Sequence, residues 1–394
     1  MKNKKFMKSI FFVFSLLLVF VILFSVLPYQ NNFAKADGVK NNINLSAEVE
    51  KIKTKSNQIY LSKIDEVKNR TAGSEGEKAF ANILASQMQN LNLKPYDENF
   101  LQVFSLGSSA SQNVIGILDN QKENYVVIGA HLDAIFKDKS YGFHDNLSGV
   151  LGVLSLAESL IQNASSLNFN VIVCFFGAEE VGCKGSEYFI KNLNEKIKNK
   201  IMLAVNFDSI GAGENLYYFH NDDVLNYGKA IDNFAQNQEI EKLGFNKKFT
   251  TLSNLNMNQT HLGLMSDNAS FLKAGVNALT LFSGDLNATN GLGYFEKQGH
   301  NKIMHNTDTA ETNLNLFGDL FYENIAYCSY FINQLFTSET FSIDNFKPNQ
   351  VNVISLSLWG MKIAGVIFIV LIFGVYLIIV NKKYPKKIKH NKKR

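Results

Sequence analysis

Five short segments of the chain carry side chains suited to acid–base or metal chemistry. They are His131-Leu132-Asp133, His144-Asp145-Asn146-Leu147-Ser148-Gly149, Gly177-Ala178-Glu179-Glu180-Val181-Gly182, Asn206-Phe207-Asp208-Ser209 and His305-Asn306-Thr307-Asp308-Thr309. Taken singly, each is an ordinary polar turn. Taken in order they are not, because three of them immediately follow short apolar runs that read as buried strands. Gathering so many carboxylates beside three imidazoles costs energy unless a cation offsets the charge. A mixed histidine and carboxylate donor set suits zinc.

The elements that must position these groups are legible as alternating patterns. Tyr125 to Ile128, Val171 to Phe176, Met202 to Phe207 and Ala278 to Phe282 are buried-strand runs. Between and after them, Val150 to Ile161, Glu187 to Leu193 and Leu314 to Phe336 read as helices, and the segment 60–96 reads as a helix from the spacing of Ala79, Phe80, Ile83, Leu84 and Met88. Strand and helix in alternation predict an α/β domain, a mixed and mostly parallel sheet flanked by helices. In such sheets ligands bind beyond the carboxyl ends of the strands, where the candidate residues fall.

The series His131-x-Asp133, Asp145-Asn146-x-Ser148-Gly149, Gly177-Ala178-Glu179-Glu180-x-Gly182, Asp208 and His305-x-x-Asp308-Thr309 resembles the dizinc aminopeptidases of metallopeptidase family twenty-eight. Arg70-Thr71-Ala72-Gly73-Ser74-Glu75-Gly76 is similar to that family's N-terminal signature, and the likeness runs from about residue 60 to 335. It implies the zinc-exopeptidase fold and two zinc ions per chain. One zinc would be held by His131 and Asp208, the other by Glu180 and His305, with Asp145 bridging. Glu179 would be the general base and Asp133 the carboxylate that orients the His131 ring. Substrates would be peptides with a free N-terminus. The pattern departs from the family at Asn268, where members often carry histidine, and at His144, where small residues are common; His144 reads as a pocket-wall or solvated histidine. His300 is the nearest competitor to His305, which is preferred for the Asp308-Thr309 that follows it.

Length and composition bound the rest. The chain has 394 residues, 46% hydrophobic and 19% charged, with a formal net charge of +4, so nothing in the balance favours a nucleic-acid partner. Lys2 to Lys8 and Lys382 to Arg394 concentrate the positive charge at the two ends. Residues 1–36 read as a signal peptide or signal anchor ending at Ala34-Lys35-Ala36. The apolar run Trp359 to Val380 carries Lys362 as its only charge and, at about 1.5 Å per residue, is long enough for a hydrocarbon core of about 30 Å. The expected organisation is therefore an extracytoplasmic catalytic domain over 37–349, a C-terminal transmembrane helix over 354–380 and a basic cytoplasmic tail over 381–394, placed at the cell membrane. A monomer is expected. Cys174, Cys183 and Cys328 fit no metal or disulfide spacing. Two alternatives accompany the aminopeptidase reading: a single-zinc enzyme resembling glutaminyl cyclases, and a catalytically inactive binding ectodomain. Metalloprotease HExxH, phosphate-loop and GxSxG patterns are absent from the sequence.

Overall fold

Four of the apolar runs form the centre of one sheet. In the computed structural model, which describes residues 44–137, 140–220, 227–237, 249–251, 266–284 and 304–346, nine strands pair into a single sheet. They are β1 (Lys94–Pro95), β2 (Leu101–Leu106), β3 (Ser109–Leu118), β4 (Asn124–His131), β5 (Phe169–Phe176), β6 (Ile201–Phe207), β7 (Asn215–His220), β8 (Phe249–Thr251) and β9 (Ala278–Gly284). The order is β1-β3-β5-β4-β6-β9-β7-β8, with β2 also pairing β3. The parallel strands β5, β4, β6 and β9 occupy the middle. Antiparallel pairings flank them, β3 against β5 on one side and β7 against β9 on the other. All described residues belong to one compact unit, Lys40–Arg394.

Strands covered on both faces read as unbroken apolar runs, and β5 and β6 are buried at every position. Alternation of side chains sorts them: Val171, Val173 and Phe175 enter the larger core, while Ile172, Cys174 and Phe176 enter the smaller one on the opposite face. Helices Leu45–Ile59, Glu75–Asn90, Gly149–Gln162 and Leu320–Thr337 supply the larger core, and Lys184–Asn192 and Asn268–Lys273 the smaller. Each fully buried Val, Ile, Leu or Phe contributes about 1.5–3 kcal/mol. The helix Glu75–Asn90 begins where Ser74 accepts the amide of Glu77 at 3.1 Å, and it buries Phe80, Ala81, Leu84 and Met88 at helical spacing. It is shorter than the 60–96 window because residues 69–74 turn tightly ahead of the cap. The closing helix is likewise two helices, Ala310–Phe317 and Leu320–Thr337, broken at Gly318.

One expectation is corrected. Among the described residues no helix is long and apolar enough to cross a membrane, so the transmembrane helix drops out of the fold class. Leu320–Thr337 has 18 residues, about 27 Å at 1.5 Å per residue, and its sequence is interrupted by Glu323, Asn324, Asn333 and Gln334. The run 354–380, the leader 1–36 and the tail 381–394 lie outside the described residues.

Candidate metal centre

His131 is the last residue of β4 and is fully buried. Its Nδ1 faces the main-chain oxygen of Asp133 at 3.2 Å and the Asp133 carboxylate at 3.6 Å. A proton on Nδ1 leaves the Nε2 lone pair facing Asp145 at 3.1 Å and Asp208 at 3.5 Å. Asp133 spends its two carboxylate oxygens elsewhere, on the amides of Glu179 (2.9 Å) and Glu180 (3.1 Å).

Asp145 lies in the turn between β4 and helix Gly149–Gln162, and the residues after it explain its placement. The Asn146 side chain donates to Phe207 O at 2.9 Å and accepts from Gly149 N and Ser209 N, which locks the turn to the end of β6, next to Asp208. Ser148 Oγ accepts Ile210 N at 2.9 Å. A Cβ on Gly149 would lie 2.2 Å from Phe207 O, so only glycine permits this approach. Asp208 follows β6 directly and donates its own amide to Leu281 O of β9.

The turn after β5 is held from below. Glu77 accepts Ala178 N at 3.1 Å, Gly73 N at 2.6 Å and the Ser111 hydroxyl at 2.7 Å, which joins the N-terminal signature to the Glu179–Glu180 pair. Arg70, fully buried, donates to the main-chain oxygens of Leu132, Tyr141 and Gly142 and packs between the rings of Tyr60 and Phe80. It thereby braces both the His131 and the Asp145 loops. His305 reaches the same point from the far end of the chain, its Nε2 2.8 Å from Asp145 Oδ2 and 3.6 Å from Glu180 Oε2. Ala178, Ser209 and His305 adopt left-handed backbone (φ +56°, +53° and +61°), strain that concentrates at functional sites.

Two donor groups result, His131–Asp145–Asp208 and Asp145–Glu180–His305, each with ligand atoms within 4.8 Å of one another, and Asp145 belongs to both. The electrostatics fit a cation. Burial, reinforced by the charge of Asp145, pushes Glu180 up to about 8. Burial also drives Glu179 well above the ordinary carboxylate range, against the pull of His131. Asp267, buried with neither carboxylate oxygen in a hydrogen bond of good geometry, is pushed up to about 7 by burial. His131 is raised despite its burial because Glu179 and its carboxylate partners outweigh desolvation. Left to protons alone, the cluster holds acids protonated that a divalent ion would discharge, so the residues present suit a metal.

All seven residues singled out from sequence therefore stand around one point, His131 at the end of β4 and the others on the loops that follow β4, β5 and β6 and on the His305 turn. His144 corrects its expectation. It is fully buried, and its Nδ1 accepts Ala212 N at 3.1 Å, so it neither lines a pocket nor meets solvent. Asn268 is buried at the start of its helix. His300 lies outside the described residues. The three cysteines are free, and Cys183 Sγ lies 3.5 Å from Glu179 Oε1.

The sequence profile described as Peptidase family M28 matches residues 113–320, just over half of the chain and all of the candidate residues. The chain belongs to peptidase family M28. Relatives within reach include leucine aminopeptidase 2 of Trichophyton equinum, 30% identical over 217 residues, covering 54% of this chain and 41% of that one. An aminopeptidase of Pseudomonas aeruginosa is 33% identical over 161 residues, 41% of this chain and 28% of that one. The chain thus spans less than half the length of these curated relatives. A Zn-dependent exopeptidase from Parabacteroides distasonis shares the fold, with a TM-score of 0.53 at 17% identity, over 75% of this chain and 99% of that one.

Sequence reasoning on this M28 chain did not assign Arg70, Glu77, Asp267 or Asp308 a task at the site. Arg70 and the segment leading to Glu77 were visible as a motif, but their partners are main-chain groups of loops more than 60 residues away. No side-chain spacing announces such bonds.

Proposed function

We propose that the chain is a dizinc exopeptidase that removes N-terminal residues from peptides. The observation that carries this is the pair of donor groups sharing Asp145. His131, Asp145 and Asp208 would hold one zinc and Asp145, Glu180 and His305 the other. Zinc bound there supplies Lewis acidity toward a scissile carbonyl and lowers the pKa of water.

The chain's own residues do the rest. Glu179 adjoins a ligand yet belongs to neither donor group, which leaves it to take a proton from water and pass it to the leaving amine. Its raised affinity for a proton in the metal-free site suits that shuttle, since burial disfavours its charge while nearby cations would restore it. Asp133 fixes where Glu179 and Glu180 point by holding both amides, and its main-chain oxygen holds His131 in the tautomer that turns Nε2 inward. Acidic groups around the centre would receive a substrate's free α-amine. Membership of the peptidase family and the aminopeptidase relatives support this reading.

The test is release of free amino acids from unblocked and N-acetylated peptides by zinc-loaded protein, beside Glu179→Ala. Cleavage of unblocked peptides alone, lost in the variant, agrees with the proposal. A folded, zinc-loaded protein that cleaves neither contradicts it. Conversion of N-terminal glutamine to a cyclised product would instead favour the single-zinc cyclase reading.

A further inference from the structure

The last sequence motif, His305 to Thr309, contains a residue whose work goes beyond following a ligand. Asp308 is 1% exposed and accepts four main-chain amides of the loop that carries Asp145. Its Oδ1 accepts His144 N at 2.7 Å and the Asn313 side chain at 2.7 Å, and its Oδ2 accepts Asp145 N at 2.8 Å. Its main-chain oxygen accepts Tyr141 N at 2.8 Å and Phe143 N at 3.4 Å. Asn313 is itself held by Thr309 O at 2.9 Å, and Thr309 caps helix Ala310–Phe317. The grip is therefore rooted in an element of secondary structure.

The two donor groups depend on this grip unequally. His131 and Asp208 stand at the ends of β4 and β6, where the parallel ladder sets their separation. His305 stands on a turn, with a side chain 40% exposed and a left-handed backbone. Three residues span at most about 10 Å, so the bonds at Asp308 restrict where the His305 ring can go relative to Asp145.

We infer that Asp308 is a positioning residue for the second metal, tying the His305 turn to Asp145 so that Asp145, Glu180 and His305 form one ligand set. This rests on the dizinc reading above. The dependence is one-sided: loss of the tie loosens the His305 ligand set, whereas His131 and Asp208 stay on their strand ends and Asp145 stays beside them through the Asn146 bonds to Phe207 O and Ser209 N. Outer partners of metal ligands are commonly worth about 10–100-fold in affinity.

The experiment is zinc titration by calorimetry on the full chain, wild type against Asp308→Ala and the isosteric Asp308→Asn, with amide hydrogen exchange at His144 and Asp145 in the metal-free proteins. The expected result is two sites in the wild type. In Asp308→Ala one site keeps its affinity, the other weakens about 10–100-fold, and both amides exchange faster. If the alanine variant does not fold, Asp308→Asn carries the same comparison with a smaller shift, because one acceptor oxygen remains. Two unaltered sites in a folded variant, both sites weakened equally, or unchanged exchange overturns the inference. A wild type that binds no zinc overturns the dizinc reading itself, while the exchange arm still reports separately whether the tie exists.

Discussion

Asp133 holds the amide of Glu179 at 2.9 Å through one carboxylate oxygen, and its other oxygen holds the next amide along. The same residue faces the His131 ring twice, with its main-chain oxygen 3.2 Å and its carboxylate 3.6 Å from Nδ1. Its carboxylate aims the two consecutive glutamates. That arrangement separates their tasks: Glu180 falls in a donor group with Asp145 and His305, and Glu179 stays outside both.

The separation makes Glu179→Gln a sharp test of chemistry without ligation. Peptide turnover is expected to fall about 10²- to 10⁴-fold, the usual worth of a positioned general base. Zinc content, measured by atomic absorption, is expected to stay at the wild-type value. Loss of zinc in step with activity would place Glu179 among the ligands.

Arg70 braces two loops from inside the core. In Arg70→Met the main-chain oxygen of Leu132 loses its donor, while Tyr141 O keeps the Tyr60 hydroxyl and Gly142 O keeps Leu147 N. A buried orphan costs about 1–3 kcal/mol, so a loss of about that size is expected in denaturant unfolding. Arg70→Lys recovers only part, because a single ammonium lacks the planar fork. An unchanged midpoint in Arg70→Met would remove the brace from the account.

Gly149→Ala is expected to destabilise the chain by about 1–3 kcal/mol, since the added carbon meets Phe207 O at 2.2 Å, at the strand end beside Asp208. Thermal unfolding of the metal-free protein reads this directly. A variant as stable as the wild type would show that the turn and β6 sit further apart.

The metal-free chain should lose stability as pH rises. Burial pushes Glu77 up to about 7, and burial with the charge of Asp145 pushes Glu180 up to about 8. The bond to Asp145 raises His305 to about 8 against the effect of burial. All three bind protons more tightly folded than unfolded. Their stabilisation is complete below the unfolded values, about 4.3 for glutamate and 6.5 for histidine, and is lost as pH passes through 7 to 8. Asp145 has the opposite sign, because its histidine bonds overcome burial and hold it far below the ordinary range, so its stabilisation is lost only in strong acid. Differential scanning fluorimetry should give a lower Tm at pH 8.5 than at pH 5.5. Zinc held by Glu180 and His305 would displace their protons, so its Tm gain should widen over that interval. A Tm that rises with pH in the metal-free protein would contradict the sign.

The central strands and their ligands were legible because a run such as Val171 to Phe176, buried on both faces, leaves an apolar signature, and the residues after it fall at one edge of the sheet. The strand β3 was not legible: Ser109 to Asn113 is polar, and two of its buried polar residues serve partners from distant segments, Ser111 to Glu77 and Asn113 to Gly185. The break at Gly318 hid inside a continuous helical pattern. Asp308 could be read as part of a motif, but its grip consists of bonds to main-chain amides of the 141–145 loop, which leave no trace in residue type.

The most direct measurement is anomalous diffraction at the zinc edge from crystals of the zinc-loaded protein. Two peaks about 3.5–4 Å apart are predicted, one bonded to His131, Asp145 and Asp208 and the other to Asp145, Glu180 and His305. A single peak, or two peaks that do not share Asp145, would contradict a bridged two-metal centre.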